Sequence, residues 1–311
     1  MISYLVALLI VVVVAAIAGL ALNLQWGLGG LVNFGLFGFY MLGAYICGIL
    51  CWWHLPPLLA MLAAILGVTA TSALVSLISI RLSEDYLAIV TLGFAECLRL
   101  FISYEEWLTR GTIGIPGIRR PLPGWIPEWA SDAGLMVFAL LCLIAVLTVF
   151  ELVARSPFGR TLRATREDPA VASALGKSVV IIRLKAFALG GAALGIAGSL
   201  HAFYYTYVDP TQFSSIITAY AFMAVVIGGR GSNWGVLVSA FTVILLLEGS
   251  RFLIDRISIL SSADLAALRL FLVGVVLVAI LIFRPDGLLR EPVSASTRDR
   301  RKLQSEHRQQ E

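Results

Sequence analysis

The first charged side chain is Arg81: residues 1–80 contain no Asp, Glu, Lys or Arg. A helix needs about 20 residues to cross the hydrocarbon core of a bilayer, so this stretch alone has room for three crossings. A soluble domain must coat its core with polar groups, and this segment has no charge to coat one with. The whole chain follows suit, being 59% hydrophobic and 14% charged, against about 25% charged in an ordinary soluble domain. Mean hydropathy is +0.91. A soluble enzyme, a nucleic-acid binder and a disordered chain are excluded. Apolar runs such as Leu5 to Ala18 are continuous, whereas a transmembrane β-barrel alternates in segments of about 10 residues. The expected fold class is all-α, a polytopic helical transmembrane bundle of about 8–10 spans.

Apolar runs place spans at about 2–22, 31–53, 57–80, 86–104, 133–153, 186–206, 214–230, 234–250 and 264–283. The first lacks the basic leader of a secretory signal and is counted as a span. Asn23, Gln25 and the glycines at 27, 29 and 30 interrupt the first apolar stretch. That is either a short turn or a broken helix, and irregular backbone at membrane depth needs protein or a water-filled cavity around it. The four cysteines (Cys47, Cys51, Cys97, Cys142) all lie in apolar stretches and read as packing residues.

Charge sets the orientation. Ala154 to Lys185 carries seven basic residues, and so does the stretch from Arg284 onward. Four spans separate them, so both fall on one side, which the positive-inside rule makes cytoplasmic. The loop 104–132 then lies outside. It holds Arg110, Arg119 and Arg120 against Glu105, Glu106, Glu128 and Asp132, and with its glycines, prolines, Trp125 and Trp129 it reads as an ordered outer cap. Nine spans put the N-terminus outside; eight would put it inside. Residues 1–290 form the transmembrane domain. The polar tail 291–311 cannot bury enough to fold and is expected to be disordered, beside anionic membrane lipid.

Catalytic signals are missing. His54, His201 and His307 are scattered, so no metal cluster is visible, and no catalytic residue, metal or cofactor is expected. Gly176-Lys177-Ser178 resembles the end of a phosphate-binding loop, but position 171, where that motif needs Gly, is Val. Gly191, Gly195 and Gly198 share a helical face, for packing within the chain or against another subunit. Glu96 and Arg99 lie three apart in the fourth span. Charges there usually pair or line a cavity, so they are either a structural ion pair or part of a translocation path. Arg269 has Asp264 or Glu248 as possible partners.

The most informative segment is 154–185. Pro157 suits a helix start, Arg160, Arg163 and Arg166 form one basic stripe, and Gly176 suits a helix end. Glu167 and Asp168 precede Pro169, where a second short helix begins. A loop that only sets topology needs neither this length nor this punctuation. A docking surface for a cytosolic partner is preferred.

The run Arg155-Ser156-Pro157-Phe158-Gly159-Arg160 through Asp168, with Ala172 to Gly176 and Leu184 to Phe187, resembles the cytoplasmic loop of LivM-type permeases. These are membrane subunits of bacterial ABC importers for branched-chain amino acids. Tyr86 to Glu96, Thr109 to Pro116, Gly228 to Ser232 and Gly30-Leu31-Val32-Asn33-Phe34-Gly35 through Tyr45 fit as well, in the same order. The outer loop departs from the pattern, reading Thr109-Arg110-Gly111 where the family usually has Thr-Gly-Gly. The resemblance implies a non-enzymatic permease in the bacterial inner membrane, carrying Leu, Ile or Val. Its partners would be a homologous LivH-type permease, two cytosolic ABC ATPases and a periplasmic substrate-binding protein, with no nucleic acid. The ATPases would dock on the loop around residues 155–176, and Asn33 joins Glu96 and Arg99 as a candidate for the path. The alternatives are a urea or short-amide ABC permease and a stand-alone secondary transporter, for which Glu96 is the one well-placed coupling group. A membrane-embedded enzyme would need paired His, Asp or Ser groups at the bilayer edge, and the sequence shows none.

Overall fold

The structure, a computed structural model, describes residues 2–78, 84–121, 131–254, 271, 274–275, 278 and 287–289. The chain is a multi-pass helical membrane protein. Six of its helical segments are long and apolar enough to cross a membrane, and two shorter apolar helices accompany them.

Helix α1 (Ile2–Leu22) is apolar all round, as a helix surrounded by others must be. From Ile10 to Leu22 nearly every side chain is buried. It continues as a π-helical segment, Asn23–Leu28, before the chain unwinds. Helix α2 (Leu36–Trp52) is only 17 residues, about 25 Å long, short of the roughly 30 Å hydrocarbon thickness. The expected span 31–53 therefore begins late, because residues 29–35 leave the helix. Protein surrounds this irregular backbone: the Phe34 N–H donates to Thr91 Oγ1 at 3.1 Å and the Phe37 N–H to Thr218 Oγ1 at 3.1 Å. The interruption is a broken helix and not a simple turn.

Helices α3 (Pro57–Ile78), α4 (Glu84–Tyr104), α6 (Ser131–Arg155), α9 (Val179–Tyr205), α10 (Ser215–Gly228) and α11 (Asn233–Ile254) follow the expected spans closely. Helix α9 starts seven residues before the expected 186, so Arg183 and Lys185 are helical and not loop. The ninth expected span, 264–283, lies mostly outside the described residues, though Phe271, Gly274, Val275 and Val278 are helical. Trp125, Glu128, Trp129, Asp264, Arg269, the side chain of Glu248 and the tail 291–311 also fall outside them.

Helix α9 is the axis of the bundle, packed on α1, α2 and α3. At one end, after α4, come a single turn α5 (Glu106–Thr109), a 3-10 turn (Gly111–Ile113) and strand β1 (Ile115–Pro116). Strand β1 pairs antiparallel with β2 (Tyr207–Val208), Ile115 opposite Val208 and Pro116 opposite Tyr207. The two-stranded clasp ties the loop after α4 to the end of α9. At the opposite end, α6 leads into α7 (Pro157–Glu167) and α8 (Pro169–Ala174). The π-helical segment, the start of α11 and residues 287–289 lie at that same end: the Leu288 N–H donates to the Ile227 carbonyl at 2.8 Å.

Candidate functional site

The α7–α8 pair is built by local chemistry. Ser156 caps α7, its Oγ accepting from the Gly159 N–H at 3.2 Å, with Pro157 in the first turn. Asp168 caps α8, its Oδ1 accepting from the Ala170 N–H at 2.8 Å and the Val171 N–H at 3.0 Å. Such caps satisfy amide donors that a helix start leaves open. Gly159 is buried, and a side chain there would strike the carbonyls of Val153 and Ala154. Gly176 has φ +75°, closing α8 with a left-handed turn.

The basic stripe divides its work. Arg160 is exposed. Arg163 Nη1 donates to the Ala154 carbonyl at 3.1 Å, at the end of α6. Arg166 turns into the bundle and donates through Nη1 to the carbonyl of Gly27. Leu162 is fully buried and reaches Gly29. Thus α7 rests directly on the broken segment that follows α1. Ala172 is buried beneath α8, Phe158 is half-buried, and Glu167 and Asp168 are exposed.

The broken segment is a junction of buried amides. Asn23 Nδ2 donates to Asn233 Oδ1 at 2.9 Å, and Asn23 Oδ1 accepts from the Gly231 N–H at 2.9 Å. Asn233 Nδ2 continues to Glu151 Oε2 at 3.1 Å. Gln25 Nε2 donates to the Phe187 carbonyl at 3.4 Å, and its Oε1 accepts from Asn33 Nδ2 at 2.9 Å. These amides join α1, α6, α9 and α11 where π-helical backbone frees polar groups, as such groups must be paired in an apolar interior. Asn33 is therefore a fully buried brace, and its Oδ1 has no hydrogen-bond partner. The Arg230 guanidinium lies 4.3 Å from the Trp26 ring centre, covering the same segment.

Glu96 and Arg99 are brought together but face outward. Arg99 Nε donates to Glu96 Oε2 at 2.8 Å, with side chains 34% and 39% exposed for Arg99 and Glu96. They lie near the middle of α4, where one charge costs about 2.5–3.5 kcal/mol on insertion scales. The glycine face of α9 is internal. A side chain at Gly191 would meet Ser72, at Gly195 the α3 backbone of Ala64 and Ile65, and at Gly198 the α2 backbone of Tyr40 and Ala44. Within the chain that face is closed by α3 and α2.

Sequence reasoning missed two features. Val171 on α8 and Leu175, its C-cap, are 54% and 74% exposed, an apolar tip; their place at a short helix within a basic loop is the signal that was there. Toward the strand end, Tyr40 Oη meets His201 Nδ1 at 2.7 Å, His201 Nε2 meets Gln212 Oε1 at 2.9 Å, and Gln212 Nε2 donates to Asp209 Oδ2 at 2.7 Å. This relay borders a cavity of about 480 Å³ walled mainly by apolar residues of α1, α10 and α11. Its members lie far apart in sequence, and no motif announces them. Among the described residues, no group of three His, Cys, Asp or Glu is placed to hold a metal ion.

Residues 4–281 match the family described as branched-chain amino acid transport system permease components. The chain is 32% identical to the high-affinity branched-chain amino acid transport system permease protein LivM of Escherichia coli, over 88% of this chain and 67% of that protein. It is 32% identical to a probable LivM of Methanocaldococcus jannaschii, over 74% and 67%. The LivH permease of Escherichia coli is 23% identical over 89% of this chain and 91% of its own. No solved structure matches the chain. A helical bundle whose family match runs through its first helix, its broken segment and the α7–α8 pair belongs to the branched-chain amino acid permease family.

Proposed function

We propose that this chain is a permease subunit of a bacterial inner-membrane ABC importer that carries branched-chain amino acids inward. A LivH-type permease is its partner in the membrane, two cytosolic ATPases supply the energy, and a periplasmic protein delivers substrate. The α7–α8 end is cytoplasmic and the strand end periplasmic, in keeping with the seven basic residues at 154–185. The observation that carries the reading is the seating of α7. Arg166 and Leu162 hold it on the broken segment at Gly27 and Gly29, while Val171 and Leu175 stand exposed at α8. An ATPase that grips the apolar tip and shifts α7 pulls on the Gly27 carbonyl. The pull passes through Asn23 and Gln25 to α11, α6 and α9. The chemistry of hydrolysis belongs to the ATPase, and the permease contributes a stiff lever and a junction that can rearrange.

The test is reconstitution with the second permease, ATPases and binding protein. Leucine uptake is expected to require ATP. Val171→Glu with Leu175→Glu should lower co-purified ATPase about tenfold while the two permeases stay associated. Unchanged ATPase recruitment returns this segment to a topogenic loop. Uptake driven by a proton gradient without ATP supports a secondary transporter, and urea bound by the cognate binding protein in preference to leucine supports the amide alternative.

A further inference from the structure

Among the described residues, helix α4 is held on one side only. Thr91, Ala95 and Ile102 are buried in the chain, with Ala95 against Gly38 and Phe94 stacked 5.3 Å from Phe39 of α2. The opposite face is open: Ile89 is 65% and Leu100 46% exposed, and Cys97 is exposed as well. Two independent features make this face unsuited to lipid. Glu96 and Arg99 sit on its flank, paired to each other yet each more than a third exposed. Lipid offers neither hydrogen bonds nor screening to the edges of such a pair. Gly93 lies on the same face with nothing among the described residues within 4 Å of where a side chain would be. A helix facing acyl chains gains nothing from a glycine, whereas one approached by another backbone does, and Gly93 and Cys97 have the four-residue spacing of small residues at helix–helix contacts.

We infer that this face of α4, centred on Gly93 and flanked by Glu96 and Arg99, is the seat of the second permease subunit. The occupant is a chain of the same fold. Permeases named LivH match this chain over 89% of its length and 91% of their own, so such a partner has an equivalent of α4 to offer. Two like bundles meeting about a pseudo-twofold axis bring equivalent helices together. An acid and a base one turn apart present both signs to an equivalent helix running across them, so the pair is electrically self-complementary. This rests on the proposed importer reading and adds to it which face pairs.

The test uses the full complex in native membranes, with a photo-cross-linking residue at Ile89 or Leu100 on α4. Leu66 on α3 and Leu141 on α6, 62% and 60% exposed, serve as controls. Adducts with the second permease are expected from both α4 positions at about tenfold the control yield. Gly93→Leu should lower the co-purified second permease about tenfold and Gly93→Ala by less, with membrane insertion unchanged. Adducts from the control positions in place of α4, adducts of twice this chain's mass, or lipid adducts alone at Ile89 and Leu100 overturn the inference. If the second permease co-purifies but cross-links elsewhere, only the assignment of this face falls. If it does not co-purify with the unaltered chain, the importer reading falls too.

Discussion

Helices α9 and α4 both cross the bundle, and both carry residues that a lipid-facing helix would not need. In α9 the small residues Gly191, Gly195 and Gly198 are met by Ser72, the α3 backbone and the α2 backbone. In α4 a side chain at Gly93 would meet nothing among the described residues within 4 Å, and Glu96 and Arg99 pair with each other while each stays more than a third exposed. In lipid, helices associate by close approach and polar contact and not by expulsion of water. The same residue types therefore mark a finished contact in α9 and an unfinished one in α4.

The largest expected effect contrasts the two glycines. Gly198→Leu would drive a side chain into the Tyr40 and Ala44 backbone. It should cost about 3 kcal/mol or more, seen as lost yield and early thermal unfolding of the purified chain. Gly93→Leu should leave the melting of the same chain within about 0.5 kcal/mol. Equal losses would erase the distinction between the helices.

A smaller effect is expected at the ion pair. In detergent, with the second permease removed, Glu96→Gln and Arg99→Gln should couple by about 0.5–1 kcal/mol. In native membranes each single change should lower abundance through an uncompensated charge, and the double change should restore part of it. A double-mutant cycle measures this in both media. Additive losses in the membrane would mean that the 2.8 Å contact is not an energetic pair.

The smallest effect lies at the end that hangs α4 on α2. Arg110 has a left-handed backbone, φ +60°, a conformation that favours glycine. Its guanidinium is 5.9 Å from the Trp52 ring centre, a weak compensation at that distance. Arg110→Gly should raise the melting temperature by about 1–3 °C. A fall would show that the Trp52 contact outweighs the backbone strain.

Much of the fold was legible in the sequence because membrane burial leaves a mark at every position. Charge-free length gave the spans, and Ser156, Pro157, Asp168, Pro169 and Gly176 marked the limits of α7 and α8 through local capping and turn chemistry. Arg163 and Arg166 were legible as a stripe but not as braces. Their partners, the carbonyls of Ala154 and Gly27, are backbone atoms that no side-chain pattern reveals. Asn23 and Gln25 were legible as an interruption, yet their bonds to Asn233, Gly231 and Phe187 join positions more than 150 residues apart.

The sequence alone determined that this chain lies in a membrane, roughly where it crosses, and which loop carries helical punctuation, since hydropathy and capping are local properties. Tertiary structure decided which faces are covered. Gly195 is closed by α3, Gly93 is open, and Arg166 turns inward while Leu175 turns out. Coverage depends on how helices distant in sequence come together, and a residue's type does not record what lies across from it.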